Sequence, residues 1–374
     1  MNSYTYTIRA RRVAALLPGR EILDDGAVTV RHGTIEAVGT WGELKDSSPS
    51  EVRDLGEVTL VPGLVNAHTH LELSHLALPP TPCSGFLEWV RWLLTQPLGD
   101  SSTQAVAAAI RQLSDCGTAG VADIATRMPE LVARQLEAAS MEYAEQFERF
   151  GYQGDAPLPD VAPAHLSLAG HALYSTSPDS LRAAKTWDAS RHRAFSIHLA
   201  EHLGEVELLA TGTGAFGDFM RERILPKDFQ APGLSPVQWA DALGLLDGRT
   251  LAVHCVHVTK TDIELLKSRG TTACLCPRSN AVIGVGRAPV RALLDAGVSC
   301  CLGTDSLASA PDLNLWEELR AILAFCPLSP LEALPLLSPA GARVLGFTGL
   351  GHLLPGSLAR FAVMPPDIEA ALFH

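Results

Sequence analysis

The sequence predicts an α/β protein, a (β/α)8 TIM-like barrel carrying a small β-sandwich domain built from both chain ends. Three observations lead there. From Leu60 onward, eight short apolar runs alternate with amphipathic helical stretches, the pattern of βα units on a parallel sheet. Residues 1–60 hold only short β-like segments broken by glycine, and a similar segment returns near the other end of the chain. At 374 residues there is room for a barrel of about 250 residues and an appendage.

Taken in order, Thr5–Val13, Ala27–Arg31, Thr34–Val38 and Glu57–Val61 read as strands of the small domain. The eight barrel runs are Leu60–His70, Ala119–Ile124, Met141–Phe147, Leu166–Tyr174, Ala194–Glu201, Thr250–Val258, Thr271–Cys276 and Val298–Asp305. Helical spacing fills the gaps at Thr103–Cys116, Pro129–Ser140, Ser177–Asp188, Thr259–Ser268 and Ala288–Ala296. Two further helices, Leu313–Phe325 and Pro330–Leu345, precede a short apolar strand between turn signals within Gly349–Val363. The expected division is therefore residues 1–60 plus 347–374 for the small domain and 61–346 for the barrel. Tyr152–Pro163, with its Gly, Pro and Asp, reads as an irregular connection.

Lys and Arg number 29 against 41 Asp and Glu, a net charge of -12 without runs of like charge. That balance argues against a nucleic-acid polymer or an anionic membrane as partner and favours a small-molecule substrate. No stretch reaches the roughly 18 apolar residues of a membrane helix, and Met1–Thr7 lacks a signal-peptide pattern, so a cytoplasmic protein is expected. The eight cysteines lie mostly inside apolar runs, without zinc-ribbon spacing, and read as reduced core residues.

Polar residues that end apolar runs mark the chemistry, because barrels of this type place their active site at the C-terminal ends of the strands. The first run ends in His68 and His70, the fourth in His171, the fifth in His198 and Glu201, the sixth in His254 and the eighth in Asp305. Residues two apart on a strand point the same way, so His68 and His70 can reach one ion. Three imidazoles and a carboxylate, His68, His70, His198 and Asp305, make a ligand set for one divalent metal with room for a water. Such a water is acidic enough to give hydroxide near neutral pH. Glu201, three residues after His198, is placed to shuttle protons, and His254 to hold or deprotonate the water. The fourth run has no lysine to bridge a second metal, which favours a mononuclear site and leaves His171 free for substrate.

Together, Pro62–His70, His198–Glu201, Val253–Val258, Cys276–Asn280 and Leu302–Ser306 resemble the amidohydrolase superfamily, in particular its mononuclear deaminase and chlorohydrolase branch. The resemblance spans nearly the whole chain. It implies Zn, or sometimes Fe, on His68, His70, His198 and Asp305, with Glu201 protonating a ring nitrogen. His254 would orient the water and Asp305 accept its proton, giving hydrolytic deamination. The segment Gly170–Ser177 looks like that of methylthioadenosine and S-adenosylhomocysteine deaminases, in which the residue matching His171 contacts the nucleoside. Leu71–Ser74 with Phe86–Val90 is instead more similar to aminodeoxyfutalosine deaminases of menaquinone biosynthesis, and 6-amino-6-deoxyfutalosine is the favoured substrate. Glu72, Glu88 and Asn280 are the further substrate-binding candidates, and Arg91, Arg127, Arg149 and Arg278 are candidates for its benzoate. A homodimer is expected on the resemblance alone. The alternatives are another aminopurine deaminase, a triazine-type chlorohydrolase or aminohydrolase, and a metal-holding barrel without activity.

Overall fold

A computed structural model describes residues 4–152, 158–159 and 163–373 of the protein, so the expected connection at 152–163 lies largely outside the described residues. The strands are β1 (Thr5–Val13), β2 (Leu23–Arg31), β3 (Thr34–Thr40), β4 (Val52–Asp54), β5 (Thr59–Pro62), β6 (Leu64–Thr69) and β7 (Thr118–Ala125). They continue as β8 (Glu142–Arg149), β9 (Leu166–Ala172), β10 (Phe195–Leu199), β11 (Thr250–His254), β12 (Thr272–Leu275), β13 (Ser299–Leu302) and β14 (Phe361–Val363). Strands β6 to β13 form one sheet in chain order, every pair parallel, with helices on the connections. This is the expected (β/α)8 barrel. No helix among the described residues is long and apolar enough to cross a membrane.

The small domain is a six-stranded mixed sheet in the order β14-β5-β1-β2-β3, with β4 also on β1. Both chain ends meet in it, since β14 runs antiparallel to β5. The first expected barrel run is therefore two strands, divided at Gly63. A Cβ there would lie 2.6 Å from the Ala119 Cβ and 3.0 Å from that of Arg360, so only glycine lets the chain pass between the sheets. Ser338 Oγ donates to the Gly63 carbonyl at 2.7 Å. Ser338 also interrupts what the sequence reads as one helix over 330–345: Pro330–Leu337 and Pro339–Leu345 are separate, because Pro339 disfavours helical backbone at the residue before it. Elsewhere the local signals hold. Ser102, Ser177 and Thr259 each accept the third backbone N–H of the helix they begin, and Gly270 ends its helix in the left-handed conformation.

The barrel closes between the end of β6 and the residues after β13. Thr304 and Asp305 both donate their backbone N–H to the His68 carbonyl, at 3.0 and 3.1 Å. The Asn66 amide spans the same seam, donating to Thr304 Oγ1 at 2.7 Å and accepting the Thr304 N–H at 3.1 Å. A Cβ on Gly303 would stand 2.7 Å from the His68 Cβ and 2.9 Å from Cys274 Sγ, which leaves no space for any other residue. The six cysteines at 255, 274, 276, 300, 301 and 326 are buried and unpaired.

On the wall of the barrel, Asp123 and Glu145 are register partners on β7 and β8, and both are buried. One oxygen of Asp123 accepts the Leu71 N–H at 2.6 Å, anchoring the chain just after His70. Burial, then the charges of Asp123 and Glu72, pushes the Glu145 carboxyl up, so the folded protein holds a proton here that the unfolded chain releases.

Two outcomes follow from this packing. Gly303→Ala should lower the free energy of unfolding by about 1–3 kcal/mol, the cost of overpacking a rigid site, as read by denaturant titration. A raised folded-state carboxyl pKa contributes stability that is full at low pH and is lost as pH rises above the unfolded value of about 4.3. Glu145→Gln should therefore gain stability relative to wild type progressively from pH 5 to pH 9, and parallel pH profiles for the two proteins would refute this.

Candidate active site

The polar ends of the barrel runs converge at one mouth of the barrel. His68 is inside β6, His70 follows it, and their ring centroids lie 4.9 Å apart. His198, near the end of β10, faces them with its Nε2 3.3 Å from His68 Nε2. Asp305 presents Oδ1 at 3.5 Å from His70 Nε2 and 3.8 Å from His68 Nε2. Its other oxygen accepts Ser279 Oγ at 2.6 Å and Ser309 Oγ at 2.9 Å, so one oxygen is held by the protein and the other is aimed at the histidines. The structure thus brings together the four residues that the sequence picks as ligands.

The donor set fits a divalent ion. His198 Nδ1 lies 2.8 Å from the His171 carbonyl, which can only accept, so the ring proton is on Nδ1 and the lone pair of Nε2 points at His68. Burial, then neighbouring imidazoles, pushes both His68 and His198 down, so they are neutral donors. Burial alone would raise the Asp305 carboxyl, but His70, His254 and the Ser279 hydroxyl outweigh it and hold it below the usual range as an anion. Three nitrogens and one carboxylate oxygen suit Zn, and the same donors accept Fe.

His254 ends β11, its Nε2 3.7 Å from Glu201 Oε1. The backbone at this rim is strained: Ala200, His254, Cys255 and Asp305 have φ of 53°, 75°, 48° and 60°, a region that costs non-glycine residues of order 1–3 kcal/mol. The turns aim side chains of β10, β11 and the β13 end inward. Burial, then Asp305 and Glu205, pushes the Glu201 carboxyl well up, which favours its neutral form. Its backbone N–H donates to Glu205 Oε2 at 2.9 Å, and Glu205 is itself buried.

A cavity of about 330 Å³ opens onto this cluster. His70, His171, His198, Glu201, His254 and Asp305 line its inner end, while Trp89, Leu93, Leu98, Phe219, Met220 and Ile224 line the outer part. His171 is in the cavity as expected, its Nδ1 2.5 Å from Ser175 Oγ. Glu148 is a lining residue that sequence reasoning missed. It accepts Thr126 Oγ1 at 2.9 Å and lies 3.9 Å from His198 Nδ1, but it belongs to a polar stretch of β8 that gives no cue.

Three expected substrate contacts sit otherwise. Glu72 reaches the cavity, yet its carboxylate accepts the backbone N–H groups of Thr126, Arg127 and Met128 at 2.9–3.0 Å, which commits it to holding a loop. Glu88 is exposed, bound to the Ser84 N–H and hydroxyl, and borders a neighbouring cleft instead of this cavity. Asn280 is buried outside the lining, with Oδ1 3.0 Å from His254 Nδ1. Of the arginine candidates, Arg278 is paired with Asp312 at 2.7 and 3.0 Å, Arg149 is buried, and Arg91 lines the neighbouring cleft. Arg127 lines the cavity, and so does Arg223, which the sequence did not suggest.

Comparison with known proteins agrees with this geometry. An aminodeoxyfutalosine deaminase of Deinococcus radiodurans is 29% identical over 345 residues, which cover 86% of this chain and 81% of the relative. A 5-methylthioadenosine/S-adenosylhomocysteine deaminase of Nitratidesulfovibrio vulgaris is 28% identical over 367 residues, covering 90% and 78%. A crystal structure of Helicobacter pylori aminofutalosine deaminase in complex with methylthio-coformycin superposes with a TM-score of 0.85 at 24% identity, over 96% of this chain and 91% of that one, which establishes the shared fold. The sequence profile described as the amidohydrolase family matches residues 59–374, the whole barrel with β5 and β14. The chain belongs to the amidohydrolase family.

Proposed function

We propose that the protein is a metal-dependent hydrolytic deaminase of an adenine-type nucleoside, and that its substrate is 6-amino-6-deoxyfutalosine. One observation carries the reaction class. A buried carboxyl group, that of Glu201, stands 3.7 Å from His254 beside the histidine and aspartate cluster, at the closed end of a cavity with an apolar outer part. His68, His70, His198 and Asp305 would hold the ion, Zn by this nitrogen-rich donor set, and when bound it supplies a water acidic enough to act as nucleophile near neutral pH.

The side chains supply the remaining steps. Glu201 holds a proton and delivers it to the ring nitrogen beside the amino-bearing carbon, which makes that carbon electrophilic. His254 accepts a hydrogen bond from the attacking water and sets its direction. Asp305 takes a proton from that water and passes it to the departing amine. The water oxygen bonds to the ring carbon, the C–N bond breaks and ammonia leaves, and the new hydroxyl gives its remaining proton to the Glu201 carboxylate, which leaves a C=O bond and restores the acid. A protonated Glu201 suits deamination in particular, because an amine leaves an azine ring poorly without acid assistance.

The outer cavity supports the choice of substrate. Its apolar wall suits an aromatic substituent on the nucleoside, and Arg223, whose guanidinium carbon lies 4.0 Å from the Phe219 ring centroid and which has an exposed pair with Glu222 at 3.5 Å, would exchange that pair for a substrate carboxylate. The Deinococcus relative is named for this reaction. The relative named for methylthioadenosine and S-adenosylhomocysteine is almost as similar, so substrates of that type are the comparison to run.

The zinc-loaded protein should deaminate 6-amino-6-deoxyfutalosine, seen as loss of adenine absorbance with release of ammonia. Failure on every aminopurine, with chloride or alkylamine released from triazines, would sink the proposal. Glu201→Gln should keep its metal content and lose about 10²–10⁴-fold in kcat, and a near-normal rate would remove Glu201 from proton transfer. Arg223→Ala should raise KM for the acidic nucleoside by about tenfold, the loss of one charge-assisted pair, and leave uncharged adenosine unaffected; equal effects on both would exclude the carboxylate contact.

A further inference from the structure

Asn280 makes one side-chain hydrogen bond among the described residues, from His254 Nδ1 to its Oδ1 at 3.0 Å. Its Nδ2 is buried without a partner, a cost of roughly 1–3 kcal/mol for a polar group left unmade. An aliphatic side chain would avoid that cost, so the contact to His254 is what the amide contributes. The backbone around it is fixed. Asn280 N donates to the Cys276 carbonyl at 3.0 Å, and the Asn280 carbonyl accepts the N–H groups of Gly284 and Val285 at 3.0 and 3.1 Å. The residue before it, Ser279, holds Asp305. One short helix after β12, Pro277–Ile283, therefore grips both Asp305 and His254.

The orientation of this amide decides where the His254 proton sits. With Oδ1 toward the ring, the proton is on Nδ1 and Nε2 is bare, facing Glu201 Oε1 at 3.7 Å and able to accept from water. With the amide reversed, Nε2 would carry the proton and meet water as a donor, which leaves the nucleophile without its acceptor. We infer that Asn280 is a positioning residue that locks His254 in the Nδ1-protonated tautomer, an assignment that rests on the role proposed above for His254. It lies outside the residues that line the cavity.

The test uses the zinc-loaded enzyme. Asn280→Leu, which keeps the volume and removes the acceptor, should retain zinc and lower kcat by about 10–100-fold with KM unchanged, the range for partners that orient an active-site imidazole. Asn280→Asp, which can only accept from Nδ1, should recover most of the loss. In a His254→Gln background, Asn280→Leu should add no further loss, whereas a residue of purely structural importance would lower activity in both backgrounds alike. Imidazole ¹⁵N shifts of zinc-loaded wild type should show His254 protonated on Nδ1 only, a readout that needs neither turnover nor a stable variant. A proton on Nε2, a normal kcat in Asn280→Leu, or additive losses in the double variant would each overturn the inference. If wild type turns over no aminopurine, the functional reading fails, while the ¹⁵N shifts still decide the contact.

Discussion

The His68 carbonyl is the atom on which the architecture turns. By accepting the N–H groups of Thr304 and Asp305 it closes the barrel, and the same two bonds carry Asp305 to the imidazoles of His68 and His70. A sheet that remained open between β6 and β13 would separate ligands that lie 237 positions apart in the chain, counting from His68 to Asp305. Closure and ligand convergence are one event. The Asn66 amide bracing the seam and the absence of a side chain at Gly303 are its local requirements.

That seam creates an electrostatic problem that organises the surroundings. Buried imidazoles with facing lone pairs are neutral for want of solvation, and a buried carboxylate beside them needs donors. The protein meets the need unequally. Asp305 receives two serine hydroxyls, which help to hold its carboxyl low, whereas the Glu201 carboxyl receives none among the described residues and is pushed up by burial. Two carboxyl groups at one rim are thus pushed toward different protonation states, which is how an acid and a base coexist in one cavity. Left-handed backbone at Ala200, His254, Cys255 and Asp305 is part of the same arrangement, since relaxing it would turn these side chains away from one another.

The sequence made the barrel legible because each strand is a short apolar run and each ligand ends one. His68, His70, His198, Glu201, His254 and Asp305 could be picked by that rule, and the structure gathers all six. What it concealed depends on tertiary contact. Glu148 lies inside a polar-looking strand, Glu205 sits in a helix with ordinary spacing, and Arg223 follows a helix that no cap announces. The sequence picks Glu72 and Glu88 as substrate contacts because they lie in Leu71–Ser74 and Phe86–Val90, the segments that carry the resemblance to deaminases. The Glu72 carboxylate instead accepts three backbone N–H groups and Glu88 binds the N–H and hydroxyl of Ser84, uses that spacing cannot distinguish from recognition. The split at Ser338 was readable from Pro339, but the apolar periodicity over 330–345 masked it.

Chemistry and recognition reside in parts of the fold with different constraints. The inner end of the cavity is made by strand ends whose geometry is fixed by barrel closure, and a shift there disturbs several ligands at once. The outer wall comes from segments inserted between strands: the helix Phe86–Leu93 between β6 and β7, and Ala215–Arg221 with Arg223 and Ile224 between β10 and β11. These hold none of the clustered histidines or Asp305, and Trp89 Nε1 ties the first of them to the Ala308 carbonyl at 3.1 Å, just past Asp305. Leu71–Ser74 joins the two regions. Its backbone is tied to Asp123 and its Glu72 to the loop at 126–128, so it sets where the inserted wall begins relative to His70. On the proposed reading, that segment would bear on substrate choice through the position it gives this wall, with the Glu72 carboxylate committed to the loop.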